Sequence, residues 1–406
     1  MLPNGLRVIT ERMPGVRSAS LGFWVGVGAR DEPAPLSGVS HFLEHLLFKG
    51  TATRSAHDIA ESIDAVGGEM NAFTAKEHTA FYARVPGTSL DLALGVLGDV
   101  LTAPALRDAD VDSERQVILE EIALEEDEPE ERVHSLSHEA LFPDHALGRE
   151  VAGTVDTIEA MRRDDIAGFF AQWYRPANIV VAAAGDVEHD AVVDAVAEHF
   201  AALDPGARPV RSAPAATVEL EARLERPTEQ AHVVLGWRGP DAHDPDRHAL
   251  ALLNHVLGGG MSSRLFEKIR EERGLAYSVY SYSALYDDAG CLVAYAGTSP
   301  AHQAEVRDLM AATIAEVAAE GITDRELEVA KGYVRGALVL GLEDSASRMS
   351  RLGGNTLVHG SVMPLDDYLA RIDAVTTEAV ARVAAAVLAT PPSVATIAPR
   401  SGRRRG

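Results

Sequence analysis

Residues 18–26 read Ser18-Ala-Ser-Leu-Gly-Phe-Trp-Val-Gly26, and a similar apolar run, Gln230-Ala-His-Val-Val-Leu-Gly-Trp237, occurs in the second half of the chain. Short apolar runs with β-branched and aromatic residues are typical of strands. In both halves the run is followed by an acidic, proline-containing loop and then by a helical pattern. The repeated order predicts that one structural unit occurs twice.

The similarity between the halves continues beyond this first strand. Glu44-His45-Leu46-Leu47 matches Asn254-His255-Val256-Leu257, which lies 210 residues later. Strand-like segments at 71–85 and 276–297 follow at corresponding places, and long amphipathic helices come after them. We therefore predict an α+β fold with two homologous domains, each a mainly antiparallel sheet covered by helices.

A linker between the two domains is predicted at residues 206–217. Proline and small residues concentrate there and interrupt both the helical and the strand periodicity. The predicted catalytic domain is residues 1–205, and the second homologous domain is residues 218–400. Residues 401–406, Ser-Gly-Arg-Arg-Arg-Gly, form a basic tail to which we assign no function.

The composition excludes several classes of protein. The chain has 406 residues, 46% of them hydrophobic, which is enough apolar material for real cores and argues against a disordered protein. Lys and Arg number 37 against 61 Asp and Glu, and the net charge of −24 disfavours nucleic acid and anionic membranes as partners. A single cysteine, Cys291, cannot form an intramolecular disulfide or a cysteine-based metal site.

Nothing in the sequence indicates secretion or membrane insertion. The first residues lack the basic stretch and the long apolar segment of a signal peptide, and no run of 18 apolar residues occurs. We expect a soluble, cytoplasmic protein with no membrane partner.

The segment Ser37-Gly-Val-Ser-His-Phe-Leu-Glu-His-Leu-Leu-Phe-Lys-Gly50 carries the strongest chemical signal. Ser37 or Ser40 could cap a short helix that Gly50 would end. On such a helix His41 and His45 leave the same face one turn apart, the separation that two ligands of a tetrahedral Zn²⁺ require.

Glu44 completes the pattern H-x-x-E-H, the signature of inverzincins. It lies on the same side of the helix as His41 and could act as a general base on a water molecule without being a ligand. The alternative is a surface or core helix with two hydrogen-bonded histidines.

The acidic segment 112–126 could supply a carboxylate as the third ligand. Glu114 and Glu121 are seven residues apart and share one helix face. Taken alone, such a segment is typical of a solvated, charged helix face. The apolar stripe of the helix is predicted at Val117, Ile118 and Ile122.

These residues together resemble the pitrilysin/insulinase family of zinc peptidases, most closely the short, two-domain bacterial members similar to the β subunit of mitochondrial processing peptidase. The family pattern places a glutamate ligand about 76 residues after the second histidine, where Glu121 stands. Glu120 competes with it, and spacing alone does not choose. The resemblance implies one Zn²⁺ per chain, bound by His41, His45 and Glu121, with Glu44 as the base. It also implies that Glu114 supports a ligand histidine.

The resemblance extends to residues that would contact the substrate. Asn71, Ala72 and Phe73 correspond to an edge strand on which family members lay the peptide backbone, and Phe48 to a residue that contacts the side chain just after the cut bond. The alternatives are an ordinary strand and a core phenylalanine. Glu131 corresponds to a residue that binds an upstream arginine in presequence-processing members, but Ser135 occupies the companion position.

The second half resembles the other wall of the family's substrate chamber. Within 258–277, Arg270 and Tyr277 are implied to reach across a cleft between the two domains toward the peptide, where Tyr277 would stabilise the tetrahedral intermediate. A salt bridge for Arg270 and packing for Tyr277 are the alternatives. Ala251 and Asn254 replace His41 and Glu44 in this copy, so we predict a single metal centre.

The sequence therefore predicts a zinc-dependent endopeptidase that cleaves extended or unstructured polypeptides, in a homodimer or in a heterodimer with a related subunit. The main alternative is a non-catalytic or structural subunit of a peptidase-like heteromer, a role in which relatives of this fold have lost the metal-site residues. A metal-dependent hydrolase with a non-peptide substrate is a third possibility.

Overall fold

The computed structural model describes residues 1–216 and 218–400, so that the predicted basic tail, 401–406, and Thr217 of the predicted linker lie outside the described residues. The chain divides into two compact units. Unit 1 comprises Met1–Ala123, Arg149–Arg211 and Val339–Met363. Among the described residues, unit 2 comprises Leu124–Gly148, Ser212–Leu338 and residues 364–400.

The strands of the described chain are β1 (Arg7–Arg12), β2 (Ser18–Val25), β3 (Glu69–Thr74), β4 (Thr79–Pro86), β5 (Ile179–Gly185), β6 (Glu221–Glu225), β7 (Ala231–Gly239), β8 (Ala276–Leu285), β9 (Gly290–Thr298) and β10 (Ser393–Ala398).

The α-helices of its first half are α1 (Val39–Leu47), α2 (Ala56–Asp64), α3 (Leu90–Thr102), α4 (Asp108–Asp127), α5 (Pro129–Leu141), α6 (Val155–Ala160), α7 (Arg163–Trp173) and α8 (His189–Phe200). Those of the second half are α9 (Arg247–Gly258), α10 (Gln303–Glu320), α11 (Asp324–Gly341), α12 (Ser345–His359), α13 (Leu365–Ala374) and α14 (Thr377–Val387). A π-helix spans Phe266–Glu271.

The two sheets have the same topology. Unit 1 has the strand order β1-β5-β2-β4-β3 and unit 2 the order β6-β10-β7-β9-β8, so each strand of the first sheet has a counterpart in the second. In each sheet one edge strand pairs in parallel, β1 with β5 and β6 with β10, and the other pairs are antiparallel. The runs at 18–26 and 230–237 become the equivalent strands β2 and β7. The predicted duplicated α+β fold with mainly antiparallel sheets is confirmed.

Each unit takes one helix from the opposite half of the sequence. Helix α12 belongs to unit 1, where it packs on β1, β2 and β5, and α5 belongs to unit 2, where it packs on β6, β7 and β10. The central strand β5 reads Ile-Val-Val-Ala-Ala-Ala-Gly and is buried throughout, because helices cover both faces of its sheet. A single division of the sequence at 206–217 leaves α5 in the first domain and α12 in the second, so it does not predict this exchange of helices. The domain bounds 1–205 and 218–400 stay a prediction.

Candidate metal centre

Helix α1 begins at Val39 behind Gly38, whose φ of 94° is left-handed. The buried carboxylate of Glu32 accepts the backbone N–H groups of Gly38 and Ser40, at 2.7 Å each. Burial raises the pKa of Glu32 to about 7, against the opposing effect of these two bonds. The predicted cap by Ser37 or Ser40 is wrong, and the helix ends at Leu47, before Gly50.

The two histidines of α1 present their Nε2 atoms to the same carboxylate oxygen. Nε2 of His41 lies 3.7 Å and Nε2 of His45 lies 3.5 Å from Oε2 of Glu121. Their rings meet edge to face, with centroids 4.7 Å apart. Burial, together with the neighbouring His45, lowers the pKa of His41 to about 4, so this ring is neutral and able to ligate near neutral pH.

Helix α4 delivers the carboxylate and separates Glu121 from Glu120. Glu120 is exposed, whereas Glu121 is half-buried and faces the histidines. The buried side of α4 carries Val111, Glu114, Ile118 and Ile122. Val117, placed in the apolar stripe from the sequence, is 39% exposed instead.

The donor set fits a zinc ion. One ligand atom from each of His41, His45 and Glu121 lies within 4.8 Å of the others. Tetrahedral zinc with bonds of about 2.0–2.2 Å separates neighbouring ligand atoms by roughly 3.3–3.6 Å. The observed separations from Glu121 Oε2 lie at or just above this range, and two imidazoles with one carboxylate leave a fourth position to water or substrate.

His45, Glu114 and Lys49 form a row of polar contacts on the side of His45 away from Glu121. Nδ1 of His45 lies 3.2 Å from Oε2 of Glu114, and Oε1 of Glu114 lies 2.6 Å from Nζ of Lys49. The Glu114 side chain is only 5% exposed. A carboxylate here fixes the tautomer with the proton on Nδ1, which leaves the Nε2 lone pair directed at the metal position. His41 differs, because its buried Nδ1 has no hydrogen-bond partner among the described residues.

Glu44 lies on α1 between the histidines but outside the ligand set. Its Oε2 accepts a hydrogen bond of 2.6 Å from the hydroxyl of Thr74. Burial raises the pKa of Glu44, while the bond from Thr74 and the nearby His45 oppose that rise. A half-buried carboxylate beside a metal position suits a general base.

Strand β3 forms one edge of the unit 1 sheet, as the resemblance implied. It pairs with β4 in the register Asn71 with Tyr82, Ala72 with Phe81 and Phe73 with Ala80. Asn71 and Phe73 are exposed and Ala72 is buried, which is the alternation of a half-buried strand. The backbone groups on its outer side are therefore free of strand pairing within this sheet.

Phe48 is the C-cap residue that follows the last residue of α1, Leu47. Its ring centroid lies 5.8 Å from that of Phe81, and the side chain is half-buried against the core of unit 1. One side of the ring therefore packs inside the unit, and a role in substrate contact stays a prediction.

Arg270 and Tyr277 contact each other in unit 2. The Arg270 guanidinium lies over the Tyr277 ring, 4.6 Å from its centroid, and donates to the Tyr277 carbonyl at 2.9 Å. Tyr277 is 76% exposed, so it is not packed in a core, and Arg270 forms no ion pair with a carboxylate of the described residues. Glu131 is an exposed residue of α5 in the same unit.

The helix equivalent to α1 in unit 2 is α9, and its residues are used for packing. Its His255 is buried and stacks on Tyr333 at a centroid distance of 4.2 Å. Oδ1 of Asn254, the counterpart of Glu44, accepts from the Ser281 hydroxyl at 2.7 Å. Within 1–216 and 218–400, the cluster around Glu121 is the one group of such side chains that could hold a metal.

The family follows from the sequence match to these residues. The family model described as "Insulinase (Peptidase family M16)" matches residues 7–155, which include His41, Glu44, His45 and Glu121. The model described as "Peptidase M16 inactive domain" matches residues 160–333. The chain belongs to the insulinase family, peptidase family M16. The resemblance seen in the sequence is confirmed. The part of this M16 chain that matches the inactive domain includes Ala251 and Asn254, the counterparts of His41 and Glu44.

Relatives in this family match nearly the whole M16 chain. A protein of Streptomyces coelicolor is 50% identical over 98% of this chain and 88% of its own length. One of Mycobacterium tuberculosis is 48% identical over 99% and 93%, and one of Bacillus subtilis is 39% identical over 93% and 92%. All three are named uncharacterized zinc proteases.

Two solved structures share the M16 fold. A protease from Helicobacter pylori superposes with a TM-score of 0.90 at 24% identity, covering 98% of this chain and 97% of its own. A peptidase M16 inactive domain protein from Pseudomonas fluorescens gives 0.91 at 22%, covering 99% and 98%. None of the helices in the described ranges combines the length and apolarity needed to cross a bilayer.

Three residues of the site have roles that the sequence did not reveal. Glu32 caps α1 from six residues upstream, Lys49 pairs with Glu114, and Thr74 contacts Glu44. Lys49 lies inside the motif quoted at 37–50 and Thr74 inside the strand-like segment 71–85, and neither was assigned a function from the sequence. Glu32 binds backbone N–H groups, and Lys49 and Thr74 bind side chains that are far away in the sequence. A motif based on the spacing of neighbouring side chains therefore cannot identify them.

Proposed function

We propose that this chain is a zinc-dependent endopeptidase that cleaves extended peptides or unstructured polypeptides. One observation carries the proposal: two histidine Nε2 atoms and one glutamate oxygen converge, while Glu44, on the same helix, stays outside the ligand set. The names of the M16 relatives as zinc proteases support zinc as the metal.

In this proposal His41, His45 and Glu121 hold the ion and Glu114 orients His45. Zinc, when bound, lowers the pKa of a water molecule toward about 7 and polarises a carbonyl oxygen. Glu44 accepts the proton of the attacking water and passes it to the departing amine nitrogen. The water oxygen first bonds to the carbonyl carbon, and the C–N bond then breaks as the amine leaves with the proton from Glu44, so no covalent bond to the protein forms.

The substrate backbone lies along β3 in this proposal. An exposed edge strand binds extended peptides through main-chain hydrogen bonds, and such binding would favour unfolded chains without a strict sequence requirement. Phe48 would contact the residue after the cut bond, and Glu131 an upstream basic residue. Arg270 and Tyr277 would act on the bound peptide, with the Tyr277 hydroxyl at the scissile carbonyl.

The test uses a quenched fluorescent basic peptide of about 15–25 residues, long enough to extend well beyond an edge strand of about six residues. We expect the wild-type protein to cleave it, and o-phenanthroline to abolish cleavage. Glu44→Gln should lower kcat by at least about 100-fold while zinc, measured by mass spectrometry, stays near one ion per chain.

Two matched variants on α4 complete the test. Glu121→Gln should lose most of the zinc and the activity, because the neutral amide is a poor ligand, whereas Glu120→Gln should retain both. A purified chain that contains no zinc and does not take it up would contradict the peptidase and favour a non-catalytic subunit. Light scattering of the same sample would test the dimer that the family resemblance implies.

A further inference from the structure

The residue that ends β3 contacts the carboxylate proposed as the base. The Thr74 hydroxyl donates to Oε2 of Glu44 over 2.6 Å, within the range of well-formed O–H···O hydrogen bonds. We infer that Thr74 is a positioning residue that fixes the Glu44 carboxylate relative to the edge strand. The inference rests on the proposed function, in which Glu44 is the general base.

The backbone of Thr74 is held by the sheet. Thr74 pairs with Thr79 across the β3–β4 hairpin. Thr79 is completely buried, and its hydroxyl donates to the Val27 carbonyl at 3.0 Å. Threonine is also β-branched and has few allowed χ1 rotamers, so a fixed backbone leaves its hydroxyl little freedom.

The turn that follows Thr74 is anchored on its other side. Within the turn, the Ala75 N–H donates to the His78 carbonyl at 2.8 Å. The 29–31 segment bonds to the same turn, since the Ala29 N–H donates to Ala75 at 3.1 Å and the Arg30 N–H to Lys76 at 2.7 Å. The first two residues beyond the strand, Ala75 and Lys76, are thus tied to a second segment of unit 1.

Buried ion pairs reinforce this anchor. Arg211 donates to both oxygens of Asp31, at 2.9 and 3.0 Å, and to the Glu77 carbonyl at 2.7 Å. Arg30 pairs with the Glu77 carboxylate at 2.5 Å. The side chains of Asp31 and Arg30 are each 2% exposed, so the pairs are shielded from water and screening salt.

A single rigid element therefore carries both functions at the site. Asn71, Ala72 and Phe73 would bind the peptide backbone, and Thr74, the next residue, holds the base. Glu44 alone has three flexible side-chain torsions, and ordering such a side chain costs conformational entropy. The hydrogen bond from Thr74 orients the Glu44 carboxylate before the peptide binds. Losing this bond should therefore lower kcat and leave the affinity for the substrate unchanged.

The test compares Thr74→Val, which keeps the shape and removes the donor, with Thr74→Ser, which keeps the donor. We expect Thr74→Val to lower kcat by about 10–100-fold with KM changed less than about twofold and zinc content unchanged. Thr74→Ser should stay within about threefold of wild type. Thr10→Val is the matched control, because Thr10 lies on the opposite edge strand, β1, where its hydroxyl is 3.0 Å from His189 Nδ1.

Each outcome decides the matter. Wild-type kcat in Thr74→Val, an equal loss in Thr74→Ser, or a rise in KM with unchanged kcat would overturn the positioning role alone. An inactive wild-type protein would overturn the proposed function and this inference with it. Crystal structures of wild type and Thr74→Val give a second readout, in which the Glu44 carboxylate should leave its position only in the valine variant.

Discussion

Nδ1 of His45 lies 3.2 Å from Oε2 of Glu114, a residue 69 positions later in the chain. Glu114 projects from the buried side of α4, among Val111, Ile118 and Ile122. A carboxylate at such a place is costly unless it is paired, and His45 and Lys49 provide the partners. The contact therefore links α1, which carries both histidines, to α4, which carries Glu121.

We expect Glu114→Gln to weaken zinc binding by about 10–100-fold, because the amide is a weaker acceptor for the His45 N–H. Competition with a chromophoric chelator measures this on the metal-free protein, independently of catalysis. Glu120→Gln on the same helix is the control and should bind zinc as wild type does. Equal affinities for wild type and Glu114→Gln would contradict the role of Glu114.

Lys49 should act on zinc binding through Glu114 alone. We expect Lys49→Met to weaken zinc binding by a few-fold, because the buried carboxylate loses its counter-charge and its fixed position. The double variant Lys49→Met/Glu114→Gln should bind no more weakly than Glu114→Gln, since both changes break one chain of contacts. Strictly additive losses in the same chelator titration would show that Lys49 acts independently.

Glu32 should make the stability of unit 1 fall as pH rises. Its folded-state pKa is about 7, above the ordinary value of 4.5, so the folded protein holds a proton there that the unfolded chain has released. This contribution is fully present below pH 4.5 and is lost as pH rises through 7. The difference in unfolding free energy, Glu32→Gln minus wild type, should increase by about 1–3 kcal/mol between pH 4.5 and 7.5, because only wild type loses this contribution.

Urea unfolding of the metal-free proteins at several pH values measures this difference. Glu159→Gln is the control, because the Glu159 side chain on α6 is exposed to solvent. A difference between Glu32→Gln and wild type that does not change with pH would refute the raised pKa.

Gly353 of α12 is expected to tolerate no side chain. A Cβ there would lie 2.1 Å from Nε1 and 2.2 Å from Cδ1 of the buried Trp24 indole. We expect Gly353→Ala to destabilise the protein by about 1–3 kcal/mol through overpacking. Gly332→Ala, on α11, meets nothing within 4 Å and should instead stabilise by about 0.4–1 kcal/mol. Thermal and urea unfolding compare the two, and similar effects of both substitutions would contradict this packing argument.

Much of the site could be predicted because its signal is local. The helical period alone puts His41, Glu44 and His45 on one side of a short helix, and the family pattern pointed to Glu121, whose carboxylate the structure brings close to both histidines. The cap of α1 was less predictable, since the buried carboxylate of Glu32, and not a nearby serine, accepts the first N–H groups of this helix.

The sequence by itself determined the duplicated α+β fold and the metal-binding motif, because strand periodicity, helical spacing and internal repetition are properties of neighbouring residues. Tertiary structure decided which of Glu120 and Glu121 faces the histidines, since a helix turns about 100° per residue and its rotation is set by packing of Val111, Ile118 and Ile122. It also decided the exchange of α5 and α12 between the units and the contact of Thr74 with Glu44. These depend on surfaces that meet only after the chain has folded, so no pattern along the sequence records them.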